Sequence, residues 1–325
     1  MKYTVARPNV PVLWIDTHAV TALSTAYSQP DSVDPVIQSN RVLLDRLREL
    51  RRAGAIFVFE TDQMREIEVR SNLEEAARTV LSQLSLGVRS SHVNIQDNQT
   101  YKAMDAAIAV VDEMELEFAS AFRGDPFAQE QHGQIIIGVH FEVDRDAIRQ
   151  RLASNREIAT RWEAIRSQAD LSVPVATRRQ QQWDRELLAR RDVFRNAYVS
   201  LRQPEDIDTL FRQMDFVSLP MTFCENRGGE RSPQALFDFY GSDFYTALPH
   251  VEIFSGLAAH KVTGNEVIIP SDIADITNIS TAMPYCTHMV LDRAMMHAIR
   301  QVGFDQKYDV KLLRLNQLLD EFAGL

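Results

Sequence analysis

Cysteine is nearly absent from this 325-residue chain: Cys224 and Cys286 are the only two, far apart and without ligand spacing. That excludes a disulfide scaffold and a cysteine-built zinc knuckle, and it suits a reducing compartment, so a cytoplasmic location is expected. Long apolar runs are missing too; none approaches the about eighteen residues needed to span a bilayer, and no membrane partner is expected. The opening MKYTVARPNVPVLWID is too short and too broken by proline for a secretory leader. Internal repeats and low-complexity tracts are lacking. So is any overall basicity: 35 Lys and Arg stand against 45 Asp and Glu, a net charge of −10. This sum does not exclude a nucleic-acid partner, because local patches hold nucleic acid and a metal-dependent nuclease must itself gather carboxylates. What is present is an ordinary globular composition, 45% hydrophobic and 25% charged, on a chain long enough for one large domain or two.

Apolar periodicity outlines the elements. Val12–Ile15 reads as a buried strand with Asp16 at its carboxyl end. Thr17–Tyr27 and Pro35–Arg52 read as helices, the second with Ile37, Leu43, Leu44, Leu47 and Leu50 at helical spacing, arginines in its last turn and Gly54 as its stop. Ala55–Phe59 is a second strand, and Thr61 can cap a helix running to Gly87. This is the rhythm of a doubly wound parallel sheet. From about Val88 to Gly264 the alternation stops. Ala103–Arg123, Arg145–Ala169 and Val175–Arg202 are long helical candidates, and Gln134–Val143 fits either strand or helix. The pattern then resumes with a strand over Glu266–Ile269, a helix over Asp272–Ala282, a strand over His288–Leu291 and the helix Arg293–Val302. A last strand over Asp309–Leu313 and a closing helix over Asn316–Phe322 complete it. The expected fold is α/β, a parallel sheet flanked by helices in a discontinuous core, 1–87 and 264–325, interrupted by a mostly helical insertion, 88–263.

Ligands of open parallel sheets collect beyond the carboxyl ends of the strands. Asp16, Glu66, Asp275 and Asp292 are placed to meet there, with Asp272 one turn before Asp275 on the same helix face. Hard divalent cations take such oxygen ligands, and carboxylates gathered this closely repel unless a cation neutralises them. The chemistry implied is metal-assisted attack of water on a phosphodiester with Mg²⁺ or Mn²⁺ as cofactor. Each acid also has a plainer explanation. Asp16 and Asp292 are suited to cap the helices that follow them, Asp272 and Asp275 suit a helix N-terminus, and Glu66 shares its neighbourhood with Glu60 and Asp62.

The segments VLWIDTHAV (Val12–Val20) and SDIADITNISTAMPYCTHMVLDRAM (Ser271–Met295) resemble the first and last motifs of PIN-domain-like nucleases. That family pairs a first-strand Asp with a helical Glu, a helical Asp and a final Asp after a late strand. Asp16-Thr17, Glu66, Asp275 and Asp292 match in order, whereas His18 and Leu291 stand where Asn or Ser and Thr are more usual. The resemblance covers residues 10–87 and 264–325. It implies a PIN-like sheet, an endoribonuclease acting on single-stranded RNA in preference to DNA, catalytic Asp16, Glu66, Asp275 and Asp292, and a homodimer. It says nothing about the insertion.

Residues 145–202 hold thirteen arginines, no lysine and seven acids, an excess of six positive charges in an acidic protein. Arg178-Arg179 and Arg190-Arg191, interspersed with Trp162, Trp183 and Tyr198, suit phosphate contact and base stacking as well as they suit solvated helices with paired charges. Arg178, Arg179, Arg190 and Arg191, with Thr17, are the expected substrate-binding residues. Other candidates are weaker: Cys286 reads as a small core residue, Arg227-Gly228-Gly229 lacks the lysine of a phosphate loop, and the remaining histidines have no ligand spacing. Two other functions fit the same acids. One is a HAD-like phosphohydrolase with Asp16 as nucleophile, disfavoured because His18 occupies the place of the second Asp; the other is a non-catalytic PIN-like scaffold.

Overall fold

Val12–Ile15 (β2) is buried at every position, as expected of an uninterrupted apolar run covered on both faces of a parallel sheet. The computed structural model, which describes residues 1–61, 73–122, 145–200 and 217–325, sets β2 at the centre of four parallel strands. Phe57–Val58 (β3) pairs on one side of it, with Val12 opposite Phe57. His288–Val290 (β5) pairs on the other, with Ile15 opposite Val290, and Lys311–Leu313 (β6) lies outside β5. A parallel bridge between Glu60 and Arg89 adds a further step beyond β3.

Helices cover this sheet for reasons visible locally. Thr17–Ser28 (α1) follows β2 directly. Pro35–Arg52 (α2) is opened by Asp34, whose carboxylate accepts from the Val36 and Ile37 amides at 2.7 and 3.3 Å, with Pro35 in the first turn. Gly54, at φ 69°, ends it in the left-handed region that a side chain rarely enters. Glu74–Ser85 (α3) packs on α1 and α2. Their inward leucines join Leu13, Ile15, Ile56 and Val58 in one buried cluster. Alternation along β3 turns Phe57 and Phe59 the other way, onto the rings of Phe118 and Phe122 at 5.1–5.7 Å.

The chain divides into two compact units, and residues 1–5 and 117–161 fall on the other side of the division from the one expected. The sheet unit comprises residues 6–95, 117–161 and 268–325; the second comprises 1–5, 96–116 and 162–267. The second is mainly helical, drawing on most of His92–Ala109 (α4), the last residues of Arg145–Ser167 (α5), whose greater part lies in the sheet unit, and on Val175–Leu187 (α6), Ala189–Ser200 (α7), Leu219–Asn226 (α8), Pro233–Tyr240 (α9), Asp243–Thr246 (α10) and Pro249–Thr263 (α11). Its core gathers Phe194, Leu236, Tyr240, Tyr245 and Leu248. Among the described residues no helix is long and apolar enough to cross a membrane.

Four expectations are corrected. The helix expected over Ala103–Arg123 ends at Ala109; Val110 turns with φ 52°, and Glu113–Glu117 (β4) is a strand paired with an unanticipated N-terminal strand, Lys2–Ala6 (β1). Glu, Met and Leu favour helices, but EMELE alternates with period two, and the pairing made that period decisive. Glu266–Ile269 forms no strand: Val267 and Ile269 are exposed, and the Asp272 carboxylate takes the Ile269 amide. The stretch expected as one helix from Val175 breaks at Leu188 into α6 and α7. The expected final strand and closing helix shorten to β6 and a 3₁₀ turn leading into Leu318–Glu321. Gln134–Val143 and the start of the helix after Thr61 lie outside the described residues.

Inside the helical unit, Gln99 Oε1 accepts from the amide of His250 at 3.1 Å and lies 2.8 Å from Nδ1 of the same buried histidine. Burial, seconded by the nearby Arg190 charge, lowers its pKa to about 3. A histidine depressed in the fold supplies stability that is complete above its free value, about pH 6.5, and is withdrawn as the pH falls toward about 3. Melting temperatures recorded from pH 7.5 down to pH 5 are therefore expected to fall, and His250→Asn, with no proton to take up, is expected to flatten that slope. Equal slopes for the two proteins would remove His250 from this role.

Candidate functional site

From β2 the chain moves outward to β3 and then returns to the opposite side of β2 to make β5. The strand order therefore reverses between β2 and β5, the place beyond whose carboxyl ends open parallel sheets bind their ligands. Asp16 and Asp292 stand at that place. The Asp16 amide donates to Val290 O at 3.0 Å, carrying the ladder one residue past Ile15, and the Leu291 amide donates to Leu313 O at 3.0 Å, just before Asp292. Each acid also occupies the N-cap position of a helix, Asp16 for α1 and Asp292 for Arg293–Val302 (α13). Two positive helix ends thus start at the same edge, a field that favours an anionic ligand.

The two carboxylates are not used alike. Asp292 is exposed and accepts from the Met295 amide at 2.8 Å, so the expected capping role is real. Asp16 is half-buried and makes no side-chain cap. Asp272 and Asp275 lie in the first half of Pro270–Ala282 (α12), the helix that leads into β5. Asp272 accepts from the Ile269 amide at 2.7 Å, a cap at the third helical position, and Asp275 is half-buried. Thr17 is the first residue of α1 and half-buried. Glu66 lies outside the described residues. Among those that are described, no three His, Cys, Asp or Glu side chains converge to hold a metal ion.

A further acid, Glu60, follows β3. Glu60, two residues beyond β3, is 1% exposed, and Arg89 donates to its Oε1 through Nε. Burial raises its pKa, against the pull of Arg89. Next to it Thr61 accepts from the Trp14 indole N–H at 3.3 Å, linking the chain after β3 back to β2. The signal was the one that singled out Asp16, an acid directly after an apolar run.

The four arginines separate into two pairs. Arg190 is packed over the Tyr240 ring, 5.7 Å from its centre, and hydrogen-bonds to that tyrosine. Arg191 lies over Phe237 at 4.9 Å, and a side chain at Gly241 would meet it at 3.2 Å. Both guanidinium groups therefore serve the aromatic packing of the helical unit. Arg178, near the start of α6, donates to Val173 O at 3.2 Å; Arg179 is half-buried beside it. The same unit contains a cavity of about 270 Å³ lined by Trp183, Leu187, Asp243, Thr246 and Glu252, among others. Its charged walls are acidic, which repels phosphate.

Comparison with protein-family models, with curated proteins and with solved structures found no match to this chain.

Proposed function

We propose that this protein is a divalent-cation-dependent nuclease of PIN-like type that hydrolyses phosphodiester bonds, with single-stranded RNA as its substrate. One observation carries the proposal: Asp16 and Asp292 end neighbouring central strands at the point where the strand order reverses, and each opens a helix.

In this reading Asp16 and Asp292 would hold a Mg²⁺ or Mn²⁺ ion. Mg²⁺ is commonly held by one or two carboxylates with water and substrate phosphate completing its shell, so a three-acid cage is not required. The cap that Asp292 gives α13 uses Oδ1. When bound, the ion supplies charge neutralisation to the phosphodiester and activation of the attacking water. The protein's own part is to hold the two acids just past the ends of neighbouring strands, at the starts of α1 and α13. The amino ends of α1 and α13 attract the phosphate, and Thr17 stands in the first turn of α1 to receive it. Asp275 and Glu66 are the remaining acids of the proposed site. Asp16→Asn and Asp292→Asn, assayed on labelled single-stranded RNA with Mn²⁺, test the proposal.

A second function, a non-catalytic scaffold, is favoured by one observation: Asp272 and Asp292 both cap helices. It predicts no cleavage of RNA under any metal. A phosphohydrolase using Asp16 would instead turn over a small phosphate ester.

Substrate contact in the helical unit is assigned to Arg178 and Arg179. Replacing both by glutamine is expected to weaken RNA binding and to flatten its salt dependence. Loss of two phosphate contacts on a single strand reduces the log–log slope by about 1.4. A slope equal to that of the wild type, measured by fluorescence anisotropy between 50 and 200 mM salt, would remove these two residues from the interface.

A further inference from the structure

The cavity of about 270 Å³ in the helical unit takes no part in the proposed phosphodiester chemistry. Three helices of that unit supply its walls. Trp183 and Leu187 stand one turn apart on α6, Ala247 follows α10, and the acids Asp243 and Glu252 lie in the first turns of α10 and α11. The packing of α6 against α11 holds these walls together. Acids in a first turn complement the helix dipole, which is reason enough for their presence at those positions. It is not a reason for aromatic and aliphatic carbon to share a hollow with them. Trp14 and Trp162 are fully buried, whereas Trp183, the third tryptophan of the chain, keeps part of its surface and gives it to the cavity. No lysine or arginine side chain lies among the described residues that line it.

This lining has the chemistry of a receptor for an organic cation. The face of an indole attracts positive charge, apolar carbon covers a methylene stem, and carboxylates accept charge-assisted hydrogen bonds from an ammonium group. An anion is repelled, and a neutral molecule of the same shape gains only the apolar contact. Drug-sized ligands occupy pockets of about 300–1,000 Å³, so a cavity of about 270 Å³ calls for something smaller. We propose that this cavity binds a small free aliphatic amine, with one or two ammonium groups on a short methylene chain. Trp183 and Leu187 cover the chain, and Asp243 and Glu252 receive the charge. The site stands whether or not the protein cleaves RNA.

Putrescine, titrated into the full-length protein and followed by tryptophan fluorescence, tests the site. Trp14 and Trp162 are 0% exposed, so Trp183 carries the response. The salt is held at about 150 mM, where charges beyond about 8 Å are screened and the net charge of −10 contributes little. A saturable change in emission is expected with putrescine, and none with 1,4-butanediol, its neutral analogue, or with the anion succinate. Gln180, exposed on α6, also lines the cavity. Gln180→Arg keeps both acids but brings a competing cation to them, and it is expected to weaken putrescine about tenfold without lowering the melting temperature. Asp243→Asn is expected to weaken it by up to about fivefold, the worth of one exposed ion pair. Equal responses to putrescine and 1,4-butanediol would overturn the proposal. So would putrescine binding at wild-type affinity in both variants, which would place the amine elsewhere on this acidic protein.

Discussion

Asp16→Asn and Asp292→Asn are each expected to reduce Mn²⁺-dependent cleavage of single-stranded RNA by about 10²–10³-fold. Losing a cation's stabilisation of the reacting phosphate costs several kcal/mol, and each 1.36 kcal/mol is a factor of ten in rate. The choice of asparagine matters at Asp292. Its carboxylate caps α13 through the Met295 amide, and asparagine caps nearly as well as aspartate, so this variant keeps the helix and loses the charge. Asp292→Ala removes both and is expected to cost about 1 kcal/mol of stability in addition. Activity lost with Asn but thermal stability lost only with Ala would separate chemistry from capping at one position. Undiminished cleavage by both asparagine variants would refute the nuclease proposal.

Arg190→Glu is expected to destabilise the helical unit by about 1–3 kcal/mol, the range seen when a buried polar group loses its hydrogen-bond partner. The guanidinium of Arg190 is packed over Tyr240 and hydrogen-bonded to it, in the cluster that also holds Tyr245 and Phe194. A carboxylate there exchanges a favourable cation–ring contact for repulsion from the same ring face and strands a buried negative charge. Urea unfolding monitored by tryptophan fluorescence would measure the change. A loss of RNA binding in this variant is consequently not evidence of phosphate contact. Arg178→Gln with Arg179→Gln is the cleaner probe. An Arg190→Glu protein with wild-type stability would show that this arginine does not hold the aromatic core together.

Local chemistry specified most of the elements in this protein. VLWI could only be a doubly covered strand, the leucine spacing of Pro35–Arg52 required an amphipathic helix, and Asp34-Pro35 and Gly54 marked its ends. The division into units was less legible: residues 117–161, read as part of the helical interruption, belong to the sheet unit, because unit membership depends on contacts between distant segments rather than on local periodicity. Where the sequence misled, opposing short-range preferences were nearly balanced and a distant partner decided. EMELE became a strand because Lys2–Ala6 lies alongside it, and Glu266–Ile269 stayed irregular because no strand pairs with it.

The site shows the same division. Sequence determined that acids follow Val12–Ile15 and His288–Leu291, since an apolar run ending in Asp is a local fact. Only the tertiary structure decided that those strands are neighbours, that the chain reverses its strand order between them, and that Asp272 is spent on a cap. It likewise turned Arg190 and Arg191 onto aromatic rings and buried Glu60. The physical reason is the range of the interactions. Propensity, capping and periodicity act within a few residues, whereas strand adjacency and the burial of a charge depend on contacts between segments separated by most of the chain.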